Sequence, residues 1–125
     1  MALTDYDERN KMAIPLDQYR PVALQYVLVT VLDNGTNAET DVEMNGVIKQ
    51  IHFITPDLDD TDTAELLLHD ADDHVIYASG EKAENGSHVI NVERAVCGTI
   101  TFRVECSASQ EDAASNPFYI FVYYV

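Results

Sequence analysis

The side chains best suited to chemistry are acidic, and their densest cluster is at residues 56–62. Four aspartates lie in this short run: Asp57, Asp59, Asp60 and Asp62. Calcium binds six to eight oxygen atoms, and clustered carboxylates on a loop can supply them. The run lacks the glycine and the distal glutamate of an EF-hand loop. We therefore regard the four aspartates as weak candidates for calcium ligands. We predict that the loop is solvated and that the protein binds no metal or other cofactor.

A second possible metal site is the pair His69 and His74, on either side of residues 70–73. An even-length turn there would place the two histidines opposite each other in a hairpin, with Leu68 opposite Val75. Two imidazoles and a carboxylate can bind a transition metal. Nothing in the sequence orients the rings, so we expect a hairpin tip and not a metal site.

Catalytic motifs are missing from the sequence, which has no nucleophile elbow, HExxH, phosphate-binding glycine loop or CxxC. Because the chain is so acidic, it contains pairs of carboxylates like those that glycoside hydrolases use. No pair stands out through an apolar neighbour that would raise one pKa. We predict that the protein is not an enzyme.

The charge excludes two classes of partner. With 22 acidic and 7 basic residues, the net charge of −15 repels nucleic-acid phosphates and anionic membranes. Cys97 and Cys106 bracket one predicted strand, about 30 Å apart, too far for a disulfide. Free thiols fit a reducing compartment, and we expect neither a signal peptide nor a membrane span.

The pattern of apolar residues predicts an all-β domain at 22–125, built as an antiparallel β-sandwich or jelly roll of about seven strands. In the clearest strand Ile100, Phe102 and Val104 alternate with polar residues. In the second, Val47, Ile51 and Phe53 are expected on one face. The predicted strands are 24–32, 46–55, 64–69, 74–78, 88–92, 98–106 and 118–125.

Strands that alternate in direction would sort the loops to two ends of the domain. One end would hold the exit of the N-terminal segment and loops 56–63, 79–87 and 107–117. The other would hold loops 33–41 and 70–73. The acidic side chains would then concentrate at the first end.

Residues 1–21 are predicted to form an extended N-terminal arm, because Pro15 and Pro21 disfavour a long helix. The arm's large apolar residues favour docking, either on its own domain or on a neighbour. These residues are Leu3, Tyr6, Met12, Ile14, Leu16 and Tyr19.

The closing strand, 118–125, is apolar on both faces. We expect one face in the core, while Tyr119, Phe121 and Tyr123 on the other face need cover from a second layer, from the arm or from another subunit. Aromatic residues are enriched at subunit interfaces. These three residues are therefore candidates for partner binding.

Several of these features together resemble the small accessory structural proteins of tailed bacteriophage virions. They are the extended arm, the run 45–56, the hairpin through 70–73, the segment 98–104 and the aromatic closing strand. Capsid decoration or cement proteins of this kind are implied to be compact β-domains on the capsid exterior, often trimers, with a terminal arm that reaches over neighbouring subunits.

The resemblance implies a non-catalytic virion protein, foremost a capsid decoration protein that binds the capsid exterior through its arm and one domain face. It implies the major capsid protein or another virion protein as partner and a homo-oligomer, with a trimer expected first. It also implies a place in the virion after synthesis in the host cytoplasm. A tail or baseplate component and a carbohydrate-binding jelly-roll module are the alternatives.

Overall fold

The computed structural model describes residues 22–32, 34–110 and 115–125. The predictions for the arm lie outside these described residues, and so do its candidate contacts Leu3, Tyr6, Met12, Ile14, Leu16 and Tyr19. The described residues include no helix long and apolar enough to cross a membrane.

The chain forms eight β-strands, and every pairing between them is antiparallel. The strands are β1 (Ala23–Leu32), β2 (Gly35–Glu43), β3 (Gly46–Ile54), β4 (Thr63–His69), β5 (Val75–Ala83), β6 (Ser87–Val96), β7 (Thr99–Gln110) and β8 (Ser115–Tyr124).

The strands pair in a nested order: β4 with β5, β3 with β6, β2 with β7 and β1 with β8. The result is two four-stranded sheets, which we call sheet A (β1-β8-β3-β6) and sheet B (β2-β7-β4-β5). This is the strand order of an eight-stranded jelly roll. The predicted all-β sandwich is confirmed, with one strand more than expected.

The additional strand is β2, and the prediction of a loop at residues 33–41 is wrong. The strand faces the core with little apolar surface, since Ala38 and Val42 are only partly buried. Its outer positions are polar, and cross-strand pairs such as the one between Glu39 and Arg103 hold them. Strand propensity and hydrophobic alternation are both weak in such a segment.

The additional strand also places the start of β1 at the end of the domain opposite to the one expected. Because β2 adds one change of direction, β1 and β3 run the same way, and both are antiparallel to β8. The first residue of β1, Ala23, therefore pairs with Tyr124 at the end opposite the acidic loops. Residues 79–83 of the expected loop 79–87 belong to β5. The turn that remains lies beside loop 56–63 as expected, because Asn85 Nδ2 donates to Asp57 Oδ1 at 3.1 Å.

The hairpin between β4 and β5 has a different register from the predicted one. Its turn contains five residues, closed by a hydrogen bond of 3.0 Å from Asp70 N to His74 O. Asp73 has a φ of 65°, the left-handed conformation that Asp tolerates. The odd number of turn residues pairs His69 with Val75, so the expected pairing of His69 with His74 is wrong.

A β-bulge between Ile48 and Gln50 changes which residues of β3 face the core. The bulge adds one residue to the strand and so shifts its alternation. Ile48, Ile51 and Phe53 are fully buried, whereas Val47 is only partly buried. The expectation that Val47 shares the core face with Phe53 is therefore wrong.

The core lies between the two sheets. Sheet A contributes Phe118, Ile120 and Val122 of the closing strand, and the rings of Phe118 and Phe53 stack with centroids 5.8 Å apart. Sheet B contributes residues such as Phe102, which is fully buried. Tyr119, Phe121 and Tyr123 consequently lie on the outer face of sheet A.

Candidate functional site

The outer face of sheet A carries a regular grid of side chains, set by the strand register. In the middle row Tyr26 of β1 lies beside Phe121 of β8, then His52 of β3 and Val89 of β6. The row on one side is Leu28, Tyr119, Ile54 and Ser87, and the row on the other is Leu24, Tyr123, Gln50 and Asn91. We call these twelve residues the aromatic face.

The aromatic face is open to solvent as far as the described residues go. The side chains of Tyr26 and Leu28 are 46% and 43% exposed. Most of the other exposed large apolar side chains of the described chain are on this sheet as well: Leu24, Leu32, Val89 and Tyr119. A contiguous exposed apolar patch on a soluble protein marks an interaction site or an aggregation hazard.

Contacts between rings fix the aromatic side chains on this face. The ring of Tyr26 stacks on Tyr119 with centroids 6.3 Å apart and lies 5.2 Å from Phe121. The rings of His52 and Tyr123 are 4.9 Å apart. Aromatic pairs at such distances contribute about 0.5–1.5 kcal/mol each beyond the area they bury. The rings thus form an ordered surface before any partner arrives.

One side of the aromatic face is polar. His52 Nε2 lies 2.9 Å from Gln50 Oε1, and Gln50 Nε2 donates to Asn91 Oδ1 at 3.0 Å. Next to these polar side chains, Lys49 Nζ forms an ion pair of 2.8 Å with Glu93. The face therefore changes from apolar on β1 and β8 to hydrogen-bonding on β3 and β6.

The outer face of sheet B is acidic. Arg103 lies between two carboxylates, with Nε 2.7 Å from Glu105 and Nη1 2.9 Å from Glu39, and the bond to Glu105 raises the pKa of the Arg103 guanidinium. We call this surface the acidic face. Its carboxylates are Glu39, Asp41, Glu43, Glu65, Glu81 and Glu105.

A shallow, open pocket of about 120 Å³ lies on the acidic face. It is lined by Thr63, Glu65, Glu81, Glu105, Cys106 and Ser107. Burial, together with the charge of Asp62, raises the pKa of the Cys106 thiol to about 11. The thiol therefore stays protonated at neutral pH and is a poor nucleophile.

The four aspartates proposed as calcium candidates lie on the loop of residues 55–62, which we call the acidic loop. Asp57 accepts a hydrogen bond from Asn85, and Asp62 accepts one of 3.0 Å from Gln110 Nε2. Asp60 has a φ of 50° in the turn that a bond from Asp62 N to Asp59 O closes. Within the described chain, no group of three or more His, Cys, Asp or Glu side chains is arranged to hold a metal ion.

The two histidines of the hairpin are engaged by neighbouring carboxylates. His69 Nδ1 lies 2.9 Å from Asp73 Oδ1, and His74 Nδ1 lies 3.7 Å from Asp70 Oδ2. Hydrogen bonds to the Asp70 carboxylate, first of all from the backbone N–H of His74, lower the pKa of Asp70. These contacts organise the turn and do not bring the two imidazoles onto one site.

Both cysteines are free, as expected from their separation along β7. Cys97 is exposed in the turn before β7, and Cys106 is partly buried within it. The two thiols are therefore in unlike environments.

The structure brings together the predicted residues Tyr119, Phe121 and Tyr123 and adds side chains that the sequence analysis did not select. Tyr26, Leu24 and Leu28 occupy alternate positions on β1, and this two-residue period is the signal that could have identified them. No local pattern marks the polar members of the face, because they are adjacent only through the register of β3 with β6 and β8.

No protein-family model matches the sequence. No curated protein matches it either. Among solved structures, the chain is similar to TmCBM61 in complex with β-1,4-galactotriose, with 12% sequence identity and a TM-score of 0.47 over 85% of this chain and 89% of that one. Similarity at this level carries no information about what this chain binds.

Proposed function

We propose that this chain is a non-catalytic structural module that works within a larger protein assembly, with the aromatic face as its interaction surface. The observation that carries the proposal is the contrast between the two faces of one sandwich. One face exposes stacked aromatic rings and leucines, and the other is covered with carboxylates. A face that a partner covers and a face that stays in water would have these two compositions.

The arrangement of the aromatic face favours a protein partner. Tyr and Trp near the centre of an interface commonly contribute about 2 kcal/mol or more each to binding. Here Tyr26 and Phe121 are in the middle row, and their ring contacts already restrict them. Less conformational entropy is then lost on binding, which favours affinity.

The finer proposal, from the sequence resemblance, is a capsid decoration protein of a tailed bacteriophage. In it the arm and the aromatic face contact the major capsid protein or neighbouring copies on the capsid exterior, while the acidic face points to solvent. The copies form a homo-oligomer, and the chain is made in the host cytoplasm. A tail or baseplate component would use the same surface elsewhere in the virion.

The test uses purified particles of the source phage. Mass spectrometry should detect the chain at a fixed copy number per particle, and added chain should co-sediment with particles that lack it. Tyr26→Ser and Tyr119→Ser should weaken co-sedimentation about tenfold or more. Thr101→Ser, on the acidic face, is the control and should bind like the natural chain. Particles without the chain, or equal binding of all three variants, would contradict the proposal.

A second candidate function is carbohydrate binding, because one observation favours it. Gln50, His52 and Asn91 form a hydrogen-bonded row beside the ring of Tyr123. Amide and imidazole groups next to an aromatic ring can hydrogen-bond a sugar that stacks on the ring. Calorimetric titration with a panel of oligosaccharides, repeated with Tyr123→Ala and Asn91→Ala, tests it. Binding that both variants abolish would favour a glycan ligand over a protein partner.

A further inference from the structure

We infer that the aromatic face binds the same face of a second copy of this chain, to form a dimer with two-fold symmetry. The inference rests on the proposed function, in which this face is an interaction surface, and it names the partner. Three observations lead to it: the area of the face, the distribution of charge and the presence of one such face on the described domain.

The area of the face matches the requirement of a specific dimer. Sheet A has four strands of nine or ten residues. With strands about 4.8 Å apart and residues about 3.3 Å apart, its outer face measures about 19 Å by 30 Å, close to 600 Å². Two copies would bury about 1,200 Å² in total, the lower end of the range for stable interfaces.

A single extended segment would cover much less of the face. One strand has a width of about 5 Å against the face's 19 Å or so. An arm laid along the sheet would therefore cover about a quarter of it and leave other rings exposed. A second sheet packed about 10 Å away, as the sheets of a sandwich pack, covers all four strands.

The distribution of charge favours the aromatic face as the surface through which two copies can approach each other. The chain has a net charge of −15, so most orientations bring like charges together. The acidic face has six carboxylates around Arg103. Sheet A carries few charged side chains: Lys49 and Glu93 pair with each other, and Arg94 is exposed on its edge strand β6.

Symmetry selects a dimer over a ring. A ring of three needs two different complementary patches on each copy, whereas a two-fold interface uses one patch twice. The described residues offer one extended apolar face. Packing its apolar strands β1 and β8 on their own counterparts places the two-fold axis along the middle row, which includes Tyr26 and Phe121. This differs from the trimer that the sequence resemblance implies.

The first test is the mass of the full-length chain in solution. Light scattering and sedimentation equilibrium should give two copies. Leu28→Glu and Tyr26→Glu should weaken dimerisation about 30-fold or more, as for central interface residues. Val75→Glu is the matched control, because Val75 is 54% exposed but belongs to sheet B. It should leave the dimer unchanged. Far-ultraviolet circular dichroism and melting curves check that each variant is folded.

A second test does not depend on disrupting the face. Phe121→Cys in a Cys97→Ser background places a thiol near the two-fold axis, so a short bismaleimide should link two copies efficiently. Val75→Cys in the same background should give little linkage. A monomeric or trimeric natural chain, a dimer unaffected by both glutamate variants, or equal linkage at both cysteines would overturn the inference. A monomer that still binds particles through Tyr26 would overturn the dimer and leave the proposed function standing.

Discussion

Replacing Gln110 with glutamate should destabilise the fold, because this side chain fixes the acidic loop to the end of β7. Gln110 is fully buried. Its Oε1 accepts a hydrogen bond of 2.8 Å from Asp59 N, and its Nε2 donates to Asp62 Oδ2 at 3.0 Å and to Ala108 O at 2.9 Å. Gln110→Glu keeps the shape and removes both donated bonds.

The expected loss of stability follows from the two acceptors that lose their donor, Asp62 Oδ2 and Ala108 O. An acceptor left unsatisfied in a buried site costs about 1–3 kcal/mol, and more when it is charged. The carboxylate of Asp62 would also face a second carboxylate. Because Asp62 is only partly buried and can regain water, we expect the free energy of unfolding at pH 7 to fall by about 2–4 kcal/mol.

Urea titrations at pH 7 and pH 4 test this expectation. The introduced carboxyl is buried beside Asp62, so its folded-state pKa should lie above the value of about 4.3 in the unfolded chain. Its protonated form can donate to Asp62. This stabilising contribution is complete below the unfolded-state pKa and is lost as the pH rises through the folded-state pKa. The loss of stability should therefore be larger at pH 7 than at pH 4.

Two further variants make the result decisive. Adding Asp62→Asn to Gln110→Glu should restore part of the stability at pH 7, because the new amide can donate to the new carboxylate. Gln25→Glu, on a partly buried residue of β1, is the control and should change stability by about 0.5 kcal/mol or less. Wild-type stability of Gln110→Glu at pH 7, a loss independent of pH, or no recovery in the double variant would refute the role assigned to Gln110.

Four further predictions follow from the fold. Phe102→Ala should lower the free energy of unfolding by about 3–5 kcal/mol. Thr101→Ala, on the acidic face, should lower it by less than about 1 kcal/mol. Equal losses of stability in urea titrations would contradict the register of β7. Iodoacetamide at pH 8 should label Cys97 faster than Cys106, whose thiol is partly buried and has a raised pKa. Peptide mass spectrometry measures the two rates, and equal rates would contradict the different environments of the thiols. Nuclear magnetic resonance should find the pKa of the Asp70 carboxyl below 3.8. The stabilising effect of this carboxylate is then present above the unfolded-state pKa and is lost as the pH falls through the lower folded-state pKa. An ordinary pKa would contradict the hydrogen bonds to Asp70. Millimolar calcium should raise Tm by no more than a degree or two, and a rise of many degrees would show that the acidic loop binds the ion.

The elements predicted well from sequence are those in which one face is apolar and the other polar. In β7 the buried residues Ile100, Phe102 and Val104 alternate with polar ones, and the structure has the same alternation. A shift by one residue would expose all three side chains, so the pattern determines the register. The nested order of the strands follows from no local pattern, because each outer pair joins segments distant in sequence.

The errors have a common physical origin, which is that the sequence shows side-chain types but not backbone irregularities. The bulge in β3 and the left-handed Asp73 each shift a register by one position. The strand β2 is held by cross-strand contacts such as the hydrogen bond of 2.7 Å from Thr101 Oγ1 to Asp41 Oδ1. Its stability comes from partners on β7, and such tertiary contacts override a weak local signal.

The composition of β8 predicts a strand covered on both faces, whereas its position in sheet A leaves its outer face exposed among the described residues. A strand that is apolar on both faces is normally covered on both. In the described structure β8 is central in sheet A, with Phe118 buried on one side and Tyr119 39% exposed on the other. A long strand with exposed rings on its outer side is an aggregation hazard that natural proteins avoid. We infer that the cover comes from outside the described residues, and the area and charge of a second copy fit that role.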